Sequence, residues 1–252
     1  MFLAIDIGNT DGVCAIHDGH DWWPRHRIPS IRGQGYQAYE EGLKEYLGEH
    51  VNHVDRVMMG CVVPALSDSV TKALKKVLPN AHFSRMNPSL YKNLPVKILD
   101  PHEIGEDIVA NVLATYSLFK QSSIVIDFGT ALTFTAINNE GEIQGVAIAP
   151  GLKTSIKAIF LQAAQLPEVP LEVPETVLGK NTIHALQSGI LLGYESLVSG
   201  MLDRMEREMG QRCRIVATGG LSFVLTALKH RFDVIDPLLT LKGLKLADDS
   251  LI

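Results

Sequence analysis

Leu3-Ala-Ile-Asp-Ile-Gly-Asn-Thr10 and Ile124-Val-Ile-Asp-Phe-Gly-Thr-Ala131 are the two stretches whose comparison decides the fold. In each, an apolar run reaches an aspartate, Asp6 or Asp127, and a glycine, Gly8 or Gly129, follows two places later, at an offset of 121 residues. Apolar runs bounded by Gly-Asn or Gly-Thr turns read as buried strands. The likeness continues at the same offset, where Val13-Cys-Ala-Ile16 falls on Phe134-Thr-Ala-Ile137, each a second strand leaving the turn. A repeat at half the length of a 252-residue chain predicts two similarly folded halves. A solenoid would recur every ~20–50 residues instead. The boundary is expected near Lys120–Ser122, giving halves 1–120 and 121–252.

Outward from these turns, strands and helical patterns alternate. Strands are expected at Phe2–Ile7, Val13–His17, Arg25–Ile28 and Val54–Met59, helices at Tyr36–Leu47 and Leu66–Leu78, and a short strand or loop before Asn87. Gly105–Leu118 carries Ile108, Val109, Val112, Leu113 and Tyr116 on one face and reads as a helix leading into a strand at Ile124–Asp127. The second half continues with a strand at Ile143–Ala149, a helix after Pro150 and a Pro-punctuated loop at Leu166–Pro174. A long helical pattern follows from Thr182 to about Met209, then a strand at Arg214–Ala217, a Gly-Gly turn, a helix near Leu221–Leu228 and a short tail. Such alternation predicts an α/β fold with mixed sheets flanked by helices.

Composition narrows the function classes. The chain has 23 Lys+Arg against 28 Asp+Glu, a formal charge of −5, and 46% hydrophobic residues, which excludes a disordered chain. No apolar run approaches the ~18 residues of a membrane helix, and no basic leader opens the sequence. Cys14, Cys61 and Cys213 lie far apart, without the spacing of a disulfide framework or a zinc site, so a reducing cytoplasm is the expected compartment. Without Lys/Arg blocks the chain lacks the electrostatic footprint of a nucleic-acid binder, and small molecules are the expected ligands.

The paired turns carry the chemistry. A strand ending in an acid, a glycine that admits backbone, and neighbouring donors suit a polyphosphate with its metal ion: amides and hydroxyls contact oxygens while the carboxylate holds Mg²⁺ directly or through water. One copy alone is an ordinary hairpin signal. The second copy, with its acid in the same register, and Ala217-Thr-Gly-Gly220 after an apolar strand point to a nucleotide held between two similar halves. There is no Walker motif: Gly179-Lys180 continues into Asn181, and no Gly-x-Gly-x-x-Gly occurs.

Seven blocks in order resemble the actin, sugar-kinase and heat-shock ATPase superfamily and, within it, the type III pantothenate kinases. They are Asp6-Ile-Gly-Asn-Thr10, Cys61-Val-Val-Pro64, Gly105-Glu-Asp107, Asp127-Phe-Gly-Thr130, Ala147-Ile-Ala-Pro-Gly-Leu152, Gly179-Lys-Asn-Thr182 with Gln187-Ser-Gly189, and Ala217-Thr-Gly-Gly220. The resemblance implies two tandem ribonuclease H-like halves with the nucleotide in the cleft between them. It also implies a homodimer that uses ATP, Mg²⁺ and a monovalent cation (K⁺ or NH₄⁺) to phosphorylate the primary hydroxyl of pantothenate, the first step towards coenzyme A.

Residue by residue, the resemblance assigns the ATP site to Asp6, Ile7, Gly8, Asn9, Thr10, Asp11, Gly12 and Val13, with Thr130 at the phosphates. Asp127, facing Asp6 across the pseudo-symmetry, is assigned the monovalent cation. Gly105, Glu106, Asp107, Ile108 and Thr182 are assigned to pantothenate, with Asp107 as the catalytic base. From residue type alone, Glu106 and Asp107 are also what a helix N-terminus favours, and Asn181 or Thr182 could cap the long helix.

Three departures cluster on the acceptor side. Ile108 stands where the family most often has an arginine for the pantothenate carboxylate, Ile98 where a tyrosine is frequent, and Gly145-Val146 where Gly-Gly is frequent. Lys153 is a substitute candidate for the anion anchor. The altered pocket leaves open a non-catalytic binding or regulatory relative, or a kinase of the same fold with another small hydroxylated acceptor. Elsewhere, His17-Asp-Gly-His20-Asp21 reads as a hairpin turn rather than a metal cluster, Trp22-Trp23 as packing against the sheet, and Cys61 as buried core. His102 and His184 lie beside substrate motifs. Gly189, Gly193 and Gly200 in the long helix are expected to meet another backbone, in the same chain or a dimer partner.

Overall fold

The computed structural model describes residues 1–31, 33, 35–162 and 170–251. Two compact units divide them: Met1–Ser117 together with Leu238–Ile252, and Leu118–Pro237.

In the first unit, β1 (Phe2–Ile7), β2 (Asp11–His17), β3 (His26–Pro29), β4 (Arg56–Cys61) and β5 (His82–Arg85) form one sheet in the order β3-β2-β1-β4-β5. β1 pairs antiparallel with β2 and parallel with β4, and β4 pairs parallel with β5. Helices α1 (Tyr36–Leu47), α2 (Pro64–Val77), α3 (Pro88–Tyr91) and α4 (Glu106–Phe119) complete the first pass. The two-residue period of a strand sorts β1 cleanly. Leu3, Ile5 and Ile7 lie in one core with Tyr39, Leu43 and Leu47 of α1 and Leu66, Val70, Ala73, Leu74 and Val77 of α2. Both helices show the i, i+4, i+8 spacing that makes one apolar face, and α2 opens on Pro64, whose missing N–H costs nothing at a first helical position.

The second unit repeats this topology. It contains β6 (Ser123–Phe128), β7 (Ala131–Ile137), β8 (Ile143–Pro150), β9 (Arg214–Thr218) and β10 (Val234–Ile235), in the order β10-β9-β6-β7-β8. β6 pairs antiparallel with β7 and parallel with β9. Its helices are α5 (Leu152–Gln162), α6 (Thr182–Gln187) and α7 (Gly193–Glu208), the last two joined by a π-helical segment at Ser188–Leu192. Val198 and Leu202 of α7 pack with Ile124, Ile126, Ile215 and Ala217. The two mixed five-stranded sheets with flanking helices are the predicted fold class.

Three details differ from the sequence reading. In the first hairpin Gly8 N donates to Asp11 O, but in the second Gly129 N donates to Ala131 O, so the second turn is one residue shorter. Ile16 therefore pairs with Leu3 as Ala136, not Ile137, pairs with Ile124, and the equivalence slips by one after the turn. Leu221–Leu228 is not a helix: turns run through it into a 3₁₀ segment at Thr226–Arg231. The expected tail is a helix, α8 (Leu239–Asp249), belonging to the first unit rather than to the second half. At the other end of the second unit, the division at Ser117/Leu118 runs through the last turn of α4. Of the expected loop at Leu166–Pro174, residues 166–169 lie outside the described residues.

α8 covers the other face of the first sheet. Leu244 lies against Gly60 of β4, Lys245 sits over the Phe2 ring, and Arg56 pairs with Asp248 at 3.0 Å and Asp249 at 3.3 Å. α8 also meets α4, through a hydrogen bond from Thr240 Oγ1 to Asn111 Oδ1 (2.8 Å) and at Gly243, where a Cβ would stand 1.9 Å from the carbonyl oxygen of Ala110. Backbone-to-backbone contact of this kind admits no side chain. Gly243→Ala should lower the unfolding free energy by about 1–3 kcal/mol, read as a shifted urea midpoint at constant slope.

Candidate active site

β1 and β4 run parallel with Asp6 opposite Gly60 and Ile7 opposite Cys61, so their carboxyl ends reach the same sheet edge. Asp6 is the penultimate residue of β1 there, beside Gly60, where a Cβ would lie 3.5 Å from Asp6 Oδ1. Asn9 and Thr10 are exposed at the tip of the β1–β2 turn. The other residues assigned to ATP are placed differently. The Ile7 side chain is buried in the core, leaving only its backbone at the edge. Asp11 pairs with Arg27 at 3.1 Å, and Gly12 and Val13 lie within β2.

The Gly105–Asp107 turn meets this edge at Cys61 and Val62. β5 ends at Arg85, opposite Met59, while β4 continues two residues further to Cys61. Alternate amides of β4 point to opposite neighbours: Val62 N donates to Ile7 O on the β1 side, and Met59 O accepts from Met86 N on the β5 side. Cys61 N–H points past the end of β5 and has no ladder partner there. Glu106 supplies one: its Oε2 accepts from Cys61 N at 2.6 Å, and its Oε1 lies 3.3 Å from Arg85 Nη2. Arg85 Nη1 in turn donates to Ser67 Oγ of α2. Burial raises the Glu106 carboxyl above its ordinary pKa, opposed by the Cys61 amide and Arg85.

Asp107, at the second position of α4, is held differently. Its Oδ1 accepts from Ile108 N at 2.8 Å, and a Cβ on Gly105 would stand 2.4 Å from that oxygen, so glycine keeps the carboxylate's place open. Burial raises its pKa above 3.8, and the backbone amides only partly offset this. Buried Tyr91 is near enough for the Glu106 and Asp107 charges to add to the upward push on its own phenol. Arg85 and Ser67 went unrecognised in the sequence, since a lone arginine ending a short strand carries no signal until the strand register is known. Ile108 is half-buried, Ile98 is partly buried and Val146 is exposed.

The second unit builds a similar strand-end turn. Gly129 and Thr130 follow Asp127, Thr130 is exposed, and its carbonyl accepts from Gly151 N (3.0 Å) and Thr154 Oγ1 (2.7 Å) at the start of α5. Gly219, with φ of +91°, packs so closely that a Cβ would lie 2.5 Å from Asp127 Oδ1 and 2.7 Å from Phe128 backbone. Lys153 is exposed on the first turn of α5. Thr182 is exposed at the start of α6, and the cap is Asn181, whose Oδ1 accepts from His184 N at 2.9 Å. His184 also reaches Thr176 O (3.0 Å), Gln187 Nε2 donates to Pro170 O (3.1 Å), and Ser188 Oγ donates to Val177 O, so this end of the helix holds the preceding segment. A Cβ on Gly189, Gly193 or Gly200 would meet nothing within 4 Å, so the close approach expected there is not made by the described residues of this chain.

The discounted signals are structural. Asp18 Oδ1 accepts from the amides of His20 and Asp21, closing a turn at Gly19 (φ +112°), and no group of three metal-ligating side chains occurs among the described residues. Trp22 meets Phe2 and His17 edge-on. Cys61 is buried and its thiol donates to Val63 O. No helix among the described residues is long and apolar enough to cross a membrane.

The donor set of the first unit's turn fits a magnesium-bound phosphate: the carboxylate of Asp6, the amide and hydroxyl of Asn9 and Thr10, and a glycine where backbone must come close. Among solved structures, the activator of 2-hydroxyisocaproyl-CoA dehydratase from Clostridium difficile with bound ADPNP superposes with a TM-score of 0.54 at 12% identity, covering 99% of this chain and 95% of that one. That likeness concerns the fold. By sequence, residues 2–204 match the family model of type III pantothenate kinase. The type III pantothenate kinase of Moorella thermoacetica is 38% identical over 249 residues, covering 98% of both chains. That of Syntrophobacter fumaroxidans is 36% identical over 251 residues, covering 98% of this chain and 96% of the relative. With the strand-end turns, the Gly105–Asp107 block and these matches along nearly the whole chain, the protein belongs to the type III pantothenate kinase family.

Proposed function

We propose that the protein transfers the γ-phosphoryl group of ATP to the primary hydroxyl of pantothenate, giving 4′-phosphopantothenate and ADP, the first step of coenzyme A synthesis. The observation that carries this reading is the Gly105–Asp107 turn: Glu106 bonds to Cys61 N at the end of β4, opposite Ile7 of β1, and Asp107 follows it with a carboxyl raised by burial. Phosphoryl transfer asks little of the protein beyond positioning, charge neutralisation and a proton acceptor. Asp107 accepts the hydroxyl proton as the hydroxyl oxygen bonds to the γ-phosphorus and the bond to ADP breaks. A carboxylate made more basic by burial is better matched to that proton than a solvated one.

Asp6 is assigned to Mg²⁺, directly or through water, with Asn9 and Thr10 at the phosphates; Thr130 is likewise assigned to the phosphates. Mg²⁺, when bound, neutralises charge on the transferring phosphoryl group. Asp127, crowded by Gly219, is assigned the monovalent cation, K⁺ or NH₄⁺. Thr182 and Ile108 are assigned to pantothenate, a homodimer is the proposed assembly, and the cytoplasm the proposed compartment.

Mass-spectrometric detection of phosphopantothenate from protein, ATP, Mg²⁺ and pantothenate tests the reading directly. Product that forms with K⁺ and falls when only Na⁺ is supplied supports it, and no product with ATP binding intact would overturn it. Asp107→Asn should lower kcat by about 10²–10⁴-fold while equilibrium binding of ATP persists. Wild-type kcat/KM should fall on the acid side with a midpoint above the ordinary aspartate value of 3.8. The stability effect has the opposite sense. A carboxyl whose pKa is raised by folding contributes stability below its unfolded pKa and loses it as pH rises through the folded value. Asp107→Asn cannot ionise, so at neutral pH its melting temperature should equal or exceed the wild type's, with the difference closing in acid.

A further inference from the structure

The inference rests on the kinase reading and concerns how its base is held. We infer that Glu106 is a positioning residue for Asp107, acting through the β4 edge, rather than a contact of the substrate. The ladder geometry leaves Cys61 N–H beyond the end of β5, and the Glu106 carboxylate takes it at 2.6 Å, the short distance of a charge-assisted bond. The other oxygen faces Arg85, the last residue of β5, and Arg85 is braced by Ser67 of α2. Both oxygens of Glu106 are thereby engaged at the sheet edge. One carboxylate joins β4, β5 and, through Arg85, α2 to the first turn of α4, whose next residue is Asp107. Asp107 itself has only local partners, its oxygen bonding to Ile108 N beside Gly105. Its place is therefore set by where the first turn of α4 is pinned, and Glu106 is the pin. A displacement near 1 Å of a reacting group costs about 10²-fold in rate.

The titratable groups that interact with Asp107 are Glu106 on its own helix and Tyr91 from α3; Arg85 from β5 and Cys61 from β4 stand beside Glu106. Removing the Glu106 charge should move the acid limb of kcat/KM to lower pH, since one negative neighbour of Asp107 is gone.

The test compares wild type, Glu106→Gln and Glu106→Ala in the full-length protein, with pantothenate and ATP kinetics, pH profiles and thermal melts. Glu106→Gln keeps an oxygen for Cys61 N–H and removes the charge. It should retain kcat within about tenfold of wild type, with the limb shifted to lower pH. Glu106→Ala removes both tethers and should lower kcat by about 10²-fold with the KM for ATP unchanged. If Glu106→Ala does not fold, the glutamine variant alone decides. A limb that does not move in Glu106→Gln overturns the inference. A KM for pantothenate raised tenfold or more at unchanged kcat in either variant also overturns it, because Glu106 would then be a substrate contact. Wild-type protein that makes no phosphopantothenate fails the kinase reading instead, and a folded Glu106→Ala variant as active as an active wild type fails only this one.

Discussion

The parallel ladder between β1 and β4 is the constraint on which the first unit's chemistry depends. It sets Ile7 opposite Cys61, so that the turn after Asp6 and the turn into α2 leave the sheet at the same edge. In open α/β sheets ligands collect at the carboxyl ends of strands, where backbone amides lose their ladder partners and become available. Here the shortness of β5 matters as much as its presence. Had it continued two residues further it would have taken the Cys61 amide, and Glu106 would have had nothing in the sheet to bind. A buried amide left unpaired costs about 1–3 kcal/mol, which is the scale on which the sheet edge recruits the start of α4.

The second unit uses the same ladder with different local parts. β6 stands to β7 and β9 as β1 stands to β2 and β4, and Asp127 occupies the register of Asp6. Yet its turn is a residue shorter, and the close neighbour is Gly219, held at positive φ, rather than an extended Gly60. Glycine at 219 is required twice over, by the backbone angle and by the absence of room for a Cβ. Two copies of one topology thus present their aspartates in different surroundings.

Much of this was legible in the sequence because the signals were local. An apolar run, an acid and a glycine in the same register specify strand, turn and repeat without tertiary information, and the i, i+4, i+8 faces of Tyr36–Leu47 and Pro64–Val77 specify helices. What was hidden depended on partners distant in sequence. The final helix reads as a tail because Leu241 and Leu244, three apart on α8, are covered only once the first sheet is there to receive them. The one-residue slip after the second turn is invisible because Thr-Ala-Ile137 matches Cys-Ala-Ile16 well by residue type. Leu221–Leu228 has helical spacing, yet the segment forms turns and a 3₁₀ stretch. The partnership of Glu106 with Cys61 and Arg85 needed the strand register, which no spacing along the chain encodes.

The acidic pair at the start of α4 shows why residue type at a helix end does not reveal its role. Dipole and free amides favour an acid at either position by about 0.3–1 kcal/mol, so the sequence Glu-Asp alone is explained without function. The structure separates them by what opposes that preference. Glu106 is buried but compensated, by an amide on one oxygen and a guanidinium near the other. Asp107 is compensated only by amides of its own turn, and burial prevails, raising its pKa. A group that only capped a helix would lower its free energy by turning to solvent, and Gly105 beside Asp107 leaves its carboxylate room without removing the cost of burial. Perturbation of this kind is what the proposed role of proton acceptor asks of a carboxylate.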